Sequence, residues 1–172
     1  CALPILLVDD KFRDDILSHF RFDCRSCGSI YLKDVVSLGL SPLANNLLSS
    51  TDDKFDVYPL EVKFCDNCKN AQLSFVVPPQ KMFDNYLYVS STAASFRKHF
   101  EDAAEKYINE FSLNSESLVV DIGSNDGVFL KPLKDRGIRV VGVEPAKNIS
   151  ELANNNGITT INSYFDSNSV ED

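Results

Sequence analysis

Four cysteines and two acids stand where their side chains can act together. Cys24-Arg-Ser-Cys27 and Cys65-Asp-Asn-Cys68 are two C-x-x-C pairs with 37 residues between them. A two-residue gap lets two thiolates from one tight turn reach a single ion, and two such turns complete a tetrahedral four-cysteine site. With all four positions supplied by protein, a zinc ion held there has no open coordination site and is structural. The second group is Asp121-Ile-Gly123-Ser124-Asn125-Asp126-Gly127, with Glu144 seventeen residues further on. Gly123 and Gly127 can take positive φ and let the backbone come close to a ligand. Asp121 ends one apolar run and Glu144 follows the next. Carboxylates so placed at the ends of parallel strands suit a nucleoside, the second acid accepting from ribose hydroxyls.

The elements that must position these groups are legible around them. Leu118–Ile122 reads as a strand, Val128–Arg136 as a helix, and Arg139–Val143 as a second strand ending in Glu144-Pro145. Ile158–Asn162 is a candidate third strand. Ahead of them, Ala93–Phe111 carries Phe96, Phe100, Ala103, Ala104, Tyr107, Ile108 and Phe111 at helical spacing, which predicts an amphipathic helix. Ser90, Ser91 and Thr92 offer hydroxyls to cap it. His99 lies off that stripe and reads as a solvated helix histidine. Between the cysteine pairs, Ile30–Leu32 and Val57–Phe64 suit hairpins of a zinc ribbon, Gly28 suits a knuckle turn, and Ser41–Asn46 reads as a turn-rich loop. Pro78-Pro79 closes the cysteine region. A short helical stretch over Phe12–Phe22 is also possible.

These readings give an α/β chain in four parts. Residues 1–21 have no assigned role, 22–79 form a small four-cysteine zinc-binding β domain, and 80–115 hold an aromatic segment and the amphipathic helix. Residues 116–172 form the first half of a Rossmann-like domain. A doubly wound sheet normally has five or more strands, so the chain is expected to be the N-terminal portion of a longer protein and inactive by itself.

Composition narrows the partners. The 172 residues are 44% hydrophobic and 24% charged, with a net charge of −8 and a pI near 4.7, which argues against a nucleic-acid surface. No apolar run approaches the ~20 residues that span a bilayer. Ala2–Val8 lacks a basic leader and runs into Asp9-Asp10, so it does not read as a signal peptide. A cytoplasmic protein without membrane or nucleic-acid partners is expected. Redox chemistry or disulfides remain alternatives for the cysteine pairs, although neither pair opens a helix on a thioredoxin-like pattern.

The turn chemistry bears on the cofactor. A dinucleotide fingerprint needs a middle glycine so that pyrophosphate can approach. Here that glycine is absent, and Asp121 and Asp126 would repel a pyrophosphate while suiting the cationic amino-acid end of S-adenosylmethionine (SAM). The segment resembles the first motif of SAM-dependent methyltransferases. Asp121, Gly123, Ser124, Asn125, Gly127 and Glu144 are the candidate cofactor residues.

Taken in order, the two C-x-x-C pairs, Tyr86-Leu-Tyr88-Val-Ser-Ser before a helix, and Asp121–Gly127 are similar to the N-terminal part of the sugar C-methyltransferase family. The resemblance spans residues 22–166. It implies a SAM-dependent enzyme with an N-terminal zinc domain, acting on a nucleotide-linked deoxysugar through an enolate that takes the SAM methyl. It further implies Cys24, Cys27, Cys65 and Cys68 as zinc ligands, Asp121, Gly123 and Ser124 at the SAM turn, Glu144 on the ribose, and Tyr88 as a catalytic tyrosine near the sugar. The family's general base, a histidine with an acidic neighbour, lies well beyond the glycine turn, and His99 does not replace it. An NAD-linked nucleotide-sugar oxidoreductase or epimerase shares the strand–turn–acid order and stays open, as does a non-enzymatic zinc-ribbon interaction module. The sugar, its nucleotide carrier, the methylated carbon and the oligomeric state are not legible in the sequence.

Overall fold

A computed structural model describes residues 17–48, 50–52 and 54–167 of the chain. Most of the possible helix over Phe12–Phe22 therefore lies outside the described residues. The chain divides between Met82 and Phe83 into two units, within the short helix α1 (Pro79–Phe83).

The first unit is an antiparallel sheet in the order β1-β2-β3, formed by Leu32–Pro42, Val57–Cys65 and Ala71–Leu73. Strand β1 is longer than its local sequence predicts. Ser41 and Pro42, expected in a loop, pair with Tyr58 and Val57. Pairing across the hairpin overrides turn propensity here, and proline is tolerated because β1 is an edge strand. The ladder is irregular between Asp34 and Val36 and again between Ser37 and Leu40. Gly39 in the second irregularity has φ 73°. Few apolar side chains are buried in this unit: among the described residues they are Cys24, Cys65 and Phe75. Phe75 gathers a small aromatic group, with ring centroids 5.0 Å from Phe20 and 5.8 Å from Tyr58.

The second unit is parallel β/α structure. Strands β4 (Leu118–Ile122), β5 (Arg139–Val143) and β6 (Thr160–Ile161) lie in that order, β4 parallel to β5 and β5 to β6. The first two match their expected bounds, and the third is shorter than expected. Helices α3 (Leu130–Asp135) and α4 (Lys147–Asn155) make the crossovers. Helix α2 (Ala94–Phe111) precedes the sheet and buries Ala104 beside Leu130, Leu133, Ile138, Ala153 and Ile158, with Ile108, Phe129 and Val140 packed around them. The ends of its apolar stripe are exposed, Phe96 at 40% and Phe111 at 63%, so the buried face is narrower than the sequence pattern. The helix stops at Ser112, which takes the left-handed conformation and returns its N–H to the Ile108 carbonyl.

The cap expected at the other end of α2 is not made. Its N-cap is Ala93, with no side-chain hydrogen bond, and Ser90–Thr92 form a 3-10 turn instead. The Arg97 guanidinium donates to the carbonyls of Ser91 and Thr92, and the Thr92 hydroxyl turns back to the Val89 carbonyl. Among the described residues no helix is long and apolar enough to cross a membrane.

Candidate functional site

In the first unit the four cysteines converge. Their sulfur atoms all lie within 4.8 Å of one another, with Cys24 Sγ 3.5 Å from Cys68 Sγ and Cys27 Sγ 3.7 Å from Cys65 Sγ. Sulfurs around one zinc at about 2.3 Å stand about 3.8 Å apart, so the cluster fits that ion. These cysteines form no disulfide, since all four thiols are free.

The two C-x-x-C turns are built alike. Gly28 N donates to the Cys24 carbonyl at 2.8 Å, and Lys69 N to the Cys65 carbonyl at 3.0 Å. Cys24 N then donates to Ser29 O and Cys65 N to Asn70 O, both at 2.8 Å. Each turn needs a left-handed residue just after its second cysteine, and Gly28 (φ 70°) and Lys69 (φ 66°) supply it. Gly28 was legible as a knuckle residue. Lys69 was not, because a lysine gives no signal for positive φ. Gln72 joins the two turns, its Oε1 accepting from Arg25 N and Asn70 Nδ2 and its Nε2 donating to the Asp23 carbonyl.

Side-chain amides face the sulfurs, Asn67 Nδ2 lying 3.5 Å from Cys27 Sγ. Burial alone would raise the Cys24 thiol, but backbone N–H groups at Ser26 and Cys27 outweigh it and bring it down to about 6. For Cys27 the Asn67 amide is the main cause of a lowered value. Cys68, despite a backbone hydrogen bond at Asn70 that lowers it, is pushed up to about 11 by its cysteine neighbours. Crowded thiols ionise at each other's expense, and a bound cation removes that conflict.

In the second unit, β4 delivers Asp121 and the glycine turn. Asp121 pairs in register with Gly142, and the turn wraps the end of β5 as Gly123 N and Ser124 N donate to the Val143 carbonyl. Gly123 has φ 75° and open space where a Cβ would stand. Gly127 has φ 79°, and a Cβ there would come within 2.9 Å of Ile158, so this glycine serves close packing. Gly142 carried no site signal in the sequence, yet a Cβ on it would collide with the Ser124 hydroxyl. That hydroxyl is buried without a hydrogen-bond partner among the described residues.

Glu144 is 6% exposed. Its Oε2 accepts from Asn125 N and its Oε1 from Ala146 N, each at 2.9 Å. One lone pair on each oxygen remains for a hydroxyl donor. Asp121 is half-buried, and burial followed by the charge of Glu144 pushes its carboxyl above the usual range. Two carboxylates beside an open glycine turn make an acidic edge that suits a positive group.

Asp126 is placed differently from the expected second acid beside a cationic ligand. It is buried, and its Oδ2 accepts from Ser91 N at 3.2 Å. Asn125, with φ 49°, also turns to that segment: its Oδ1 accepts from Ser90 N at 2.8 Å and its Nδ2 donates to the Tyr88 carbonyl at 3.1 Å. The aromatic segment is held at two further places. Asn148, in the first turn of α4, exchanges two hydrogen bonds with the Tyr86 backbone, donating to its carbonyl at 2.7 Å and accepting from its N–H at 3.3 Å. The Tyr164 hydroxyl donates to Asp84 at 2.8 Å, and burial together with that bond pushes its phenol up to about 12.

The structure thus brings Tyr88, 41% exposed, to the glycine turn through Asn125. Asn148 and Tyr164 had no signal in the sequence beyond being polar residues soon after strand ends. His99 stays on the exposed surface of α2, its ring 5.4 Å from that of Phe100. A cavity of about 300 Å³ lies beside Ser91, Arg97, Asp126, Gly127 and Lys131. It does not include Asp121, Gly123 or Glu144, so it is distinct from the acid-lined edge.

Comparison with known proteins accords with the four-cysteine cluster. Residues 24–83 match the Methyltransf_13 family, described as a "Putative zinc binding domain". The chain is 39% identical over 145 residues to C-methyltransferase NovU of Streptomyces niveus, a match covering 83% of this chain and 34% of that protein. It therefore spans about a third of the length of this curated relative. A SAM dependent methyltransferase from Archaeoglobus fulgidus matches at 25% identity and a TM-score of 0.32, over 39% of this chain and 29% of its own. Residues 24–83 are thus similar to a putative zinc-binding domain, with Cys24, Cys27, Cys65 and Cys68 as the cluster that could hold the metal, in a chain similar to a C-methyltransferase.

Proposed function

We propose that this chain is part of a cytoplasmic SAM-dependent C-methyltransferase acting on a nucleotide-linked ketodeoxysugar. The observation that carries the reading is the acid-lined glycine turn with the tyrosine segment hydrogen-bonded to it. The similarity to C-methyltransferase NovU supports it.

SAM, when bound, supplies an electrophilic methyl group. The residues of this chain hold and orient. Gly123 gives the backbone room for close approach, Asp121 attracts the cationic amino-acid end, and Glu144 accepts from the ribose hydroxyls with its remaining lone pairs. Occupation by a cation lets Asp121 ionise without opposing Glu144.

On the acceptor side, a proton is lost from the sugar carbon beside the ketone, and a donor must stabilise the enolate oxygen that forms. Tyr88, part-exposed next to the turn, is that donor in our reading. With SAM bound, Asp121, Gly123 and Glu144 would hold its methyl at near-attack distance from the enolate carbon, with S-adenosylhomocysteine as the leaving group.

Methyl transfer from labelled SAM to a nucleotide-linked ketosugar, in a polypeptide that includes this chain, tests the reading. Tyr88→Phe should lower kcat by about 10²- to 10⁴-fold, the range for an oriented proton-transfer or oxyanion group, with S-adenosylhomocysteine affinity nearly unchanged. An unchanged kcat removes Tyr88 from the mechanism.

A further inference from the structure

The hydrogen bonds to residues 84–91 have an order. Asp84 is held by Tyr164, three residues past β6. Tyr86 is held by Asn148, five residues past β5. Tyr88, Ser90 and Ser91 are held by Asn125 and Asp126, just past β4. Because the strands are parallel, all these partners lie beyond their carboxyl ends. The segment crosses the sheet from β6 to β4 as a strap over the end where open α/β sheets bind ligands.

We infer that Asn148 and Asn125 are positioning residues that fasten this strap and so set where Tyr88 stands over the cofactor turn. The inference rests on the proposed methyltransferase reading for what Tyr88 then does. Asn148 forms a two-bond amide pair with one residue of the strap, a geometry that fixes orientation as well as distance. Asn125 links both sides of the site. Its backbone N–H binds the Glu144 carboxylate while its side chain binds the Tyr88 carbonyl and Ser90 N–H. A nucleoside that draws on Glu144 shifts the residue that holds Tyr88, so cofactor occupancy reaches the acceptor side through Asn125.

Two substitutions separate this role from simple folding. Asn148→Asp keeps the shape and the acceptor but loses the donor to the Tyr86 carbonyl, setting a carboxylate against it. Asp near a helix N-terminus is favourable, so the strap is released without weakening α4. Asn125→Gly removes both strap bonds yet keeps the left-handed backbone and its N–H on Glu144.

The chain has six tyrosines and no tryptophan, so fluorotyrosine labelling gives a resolvable 19F spectrum, with Tyr88 assigned from Tyr88→Phe. Without ligand, both variants should move the Tyr88 signal toward that of an unfolded tyrosine while the melting temperature holds. With S-adenosylhomocysteine at saturation of each protein, the unaltered protein should show a Tyr88 shift that Asn125→Gly loses. In the active polypeptide, Asn148→Asp should lower kcat by about 10- to 100-fold with little change in KM for SAM.

A Tyr88 signal unmoved in both variants overturns the strap, whether or not S-adenosylhomocysteine binds. A ligand-induced shift that survives in Asn125→Gly overturns the link through Asn125. Failure of the unaltered protein to bind S-adenosylhomocysteine counts against the cofactor reading instead, and the ligand-free spectra still decide the strap.

Discussion

Stripping the zinc should unfold the first unit and leave the second intact. The buried apolar side chains of the first unit, among the described residues, are Phe75 and two of the zinc-binding cysteines themselves. Full burial of one phenylalanine is worth about 1.5–3 kcal/mol. Structural zinc contributes about 10–16 kcal/mol of apparent binding free energy at neutral pH, all of it available to folding when the site forms only in the folded chain. A domain of ordinary stability, about 5–15 kcal/mol, does not survive that loss. The second unit has its own core around Leu130, Leu133, Ala153 and Ile158 and no share in the metal.

Hydrogen exchange read by peptide mass spectrometry, before and after chelation, measures both units at once. Amides of Leu32–Pro42 and Val57–Cys65 should lose at least about 10³-fold of their protection, equivalent to about 4 kcal/mol at 1.4 kcal/mol per decade. Those of Leu118–Ile122 and Arg139–Val143 should be unchanged. Cys27→Ser should give the same pattern without chelator. Persistent protection of β1 and β2 in protein shown by elemental analysis to be metal-free would refute the reasoning.

Two substitutions at the acid-lined edge make further predictions. Asp121 has its carboxyl raised by burial and by Glu144, so any stability it brings is present below the usual carboxylate range and lost as pH rises through its folded value. Asp121→Asn should therefore raise the melting temperature at pH 7, flatten the fall in stability above the carboxylate range, and weaken S-adenosylhomocysteine binding. Loss of a charge-assisted hydrogen bond costs about 1.5–3 kcal/mol, or about 10- to 150-fold in calorimetric affinity; a variant that is both less stable and equally tight would contradict this account. Glu144→Gln should lose affinity by a similar factor and also destabilise the turn, since one amide cannot accept from both Asn125 N–H and Ala146 N–H. A melting temperature equal to that of the unaltered protein would show those two bonds to be dispensable.

How much of this was legible in the sequence varies with the range of the interaction. The zinc cluster was readable because C-x-x-C spacing encodes a local turn, and strands β4 and β5 because apolar runs bounded by glycine and acid are local patterns. Helix α2 was readable from its spacing, but not its cap: Ser90 and Ser91 give their backbone N–H groups to Asn125 and Asp126, 35 residues away. Ser41 and Pro42 misled for the same reason, their strand conformation being imposed by Val57 and Tyr58. Asp126 looked like a ligand-facing acid; its Oδ2 is a buried acceptor for Ser91 N–H, while its Oδ1 has no hydrogen-bond partner among the described residues. The strap rests on Asn148 and Tyr164, whose partners lie 62 and 80 residues away, and no single-sequence pattern announces such pairs.

Native mass spectrometry of the chain with S-adenosylhomocysteine, NAD present as competitor, tests the central claim most directly. A chain carrying one zinc ion should take up one S-adenosylhomocysteine, with uptake reduced in Asp121→Asn and indifferent to NAD. An NAD adduct in place of S-adenosylhomocysteine would contradict that claim and assign the glycine turn to a dinucleotide.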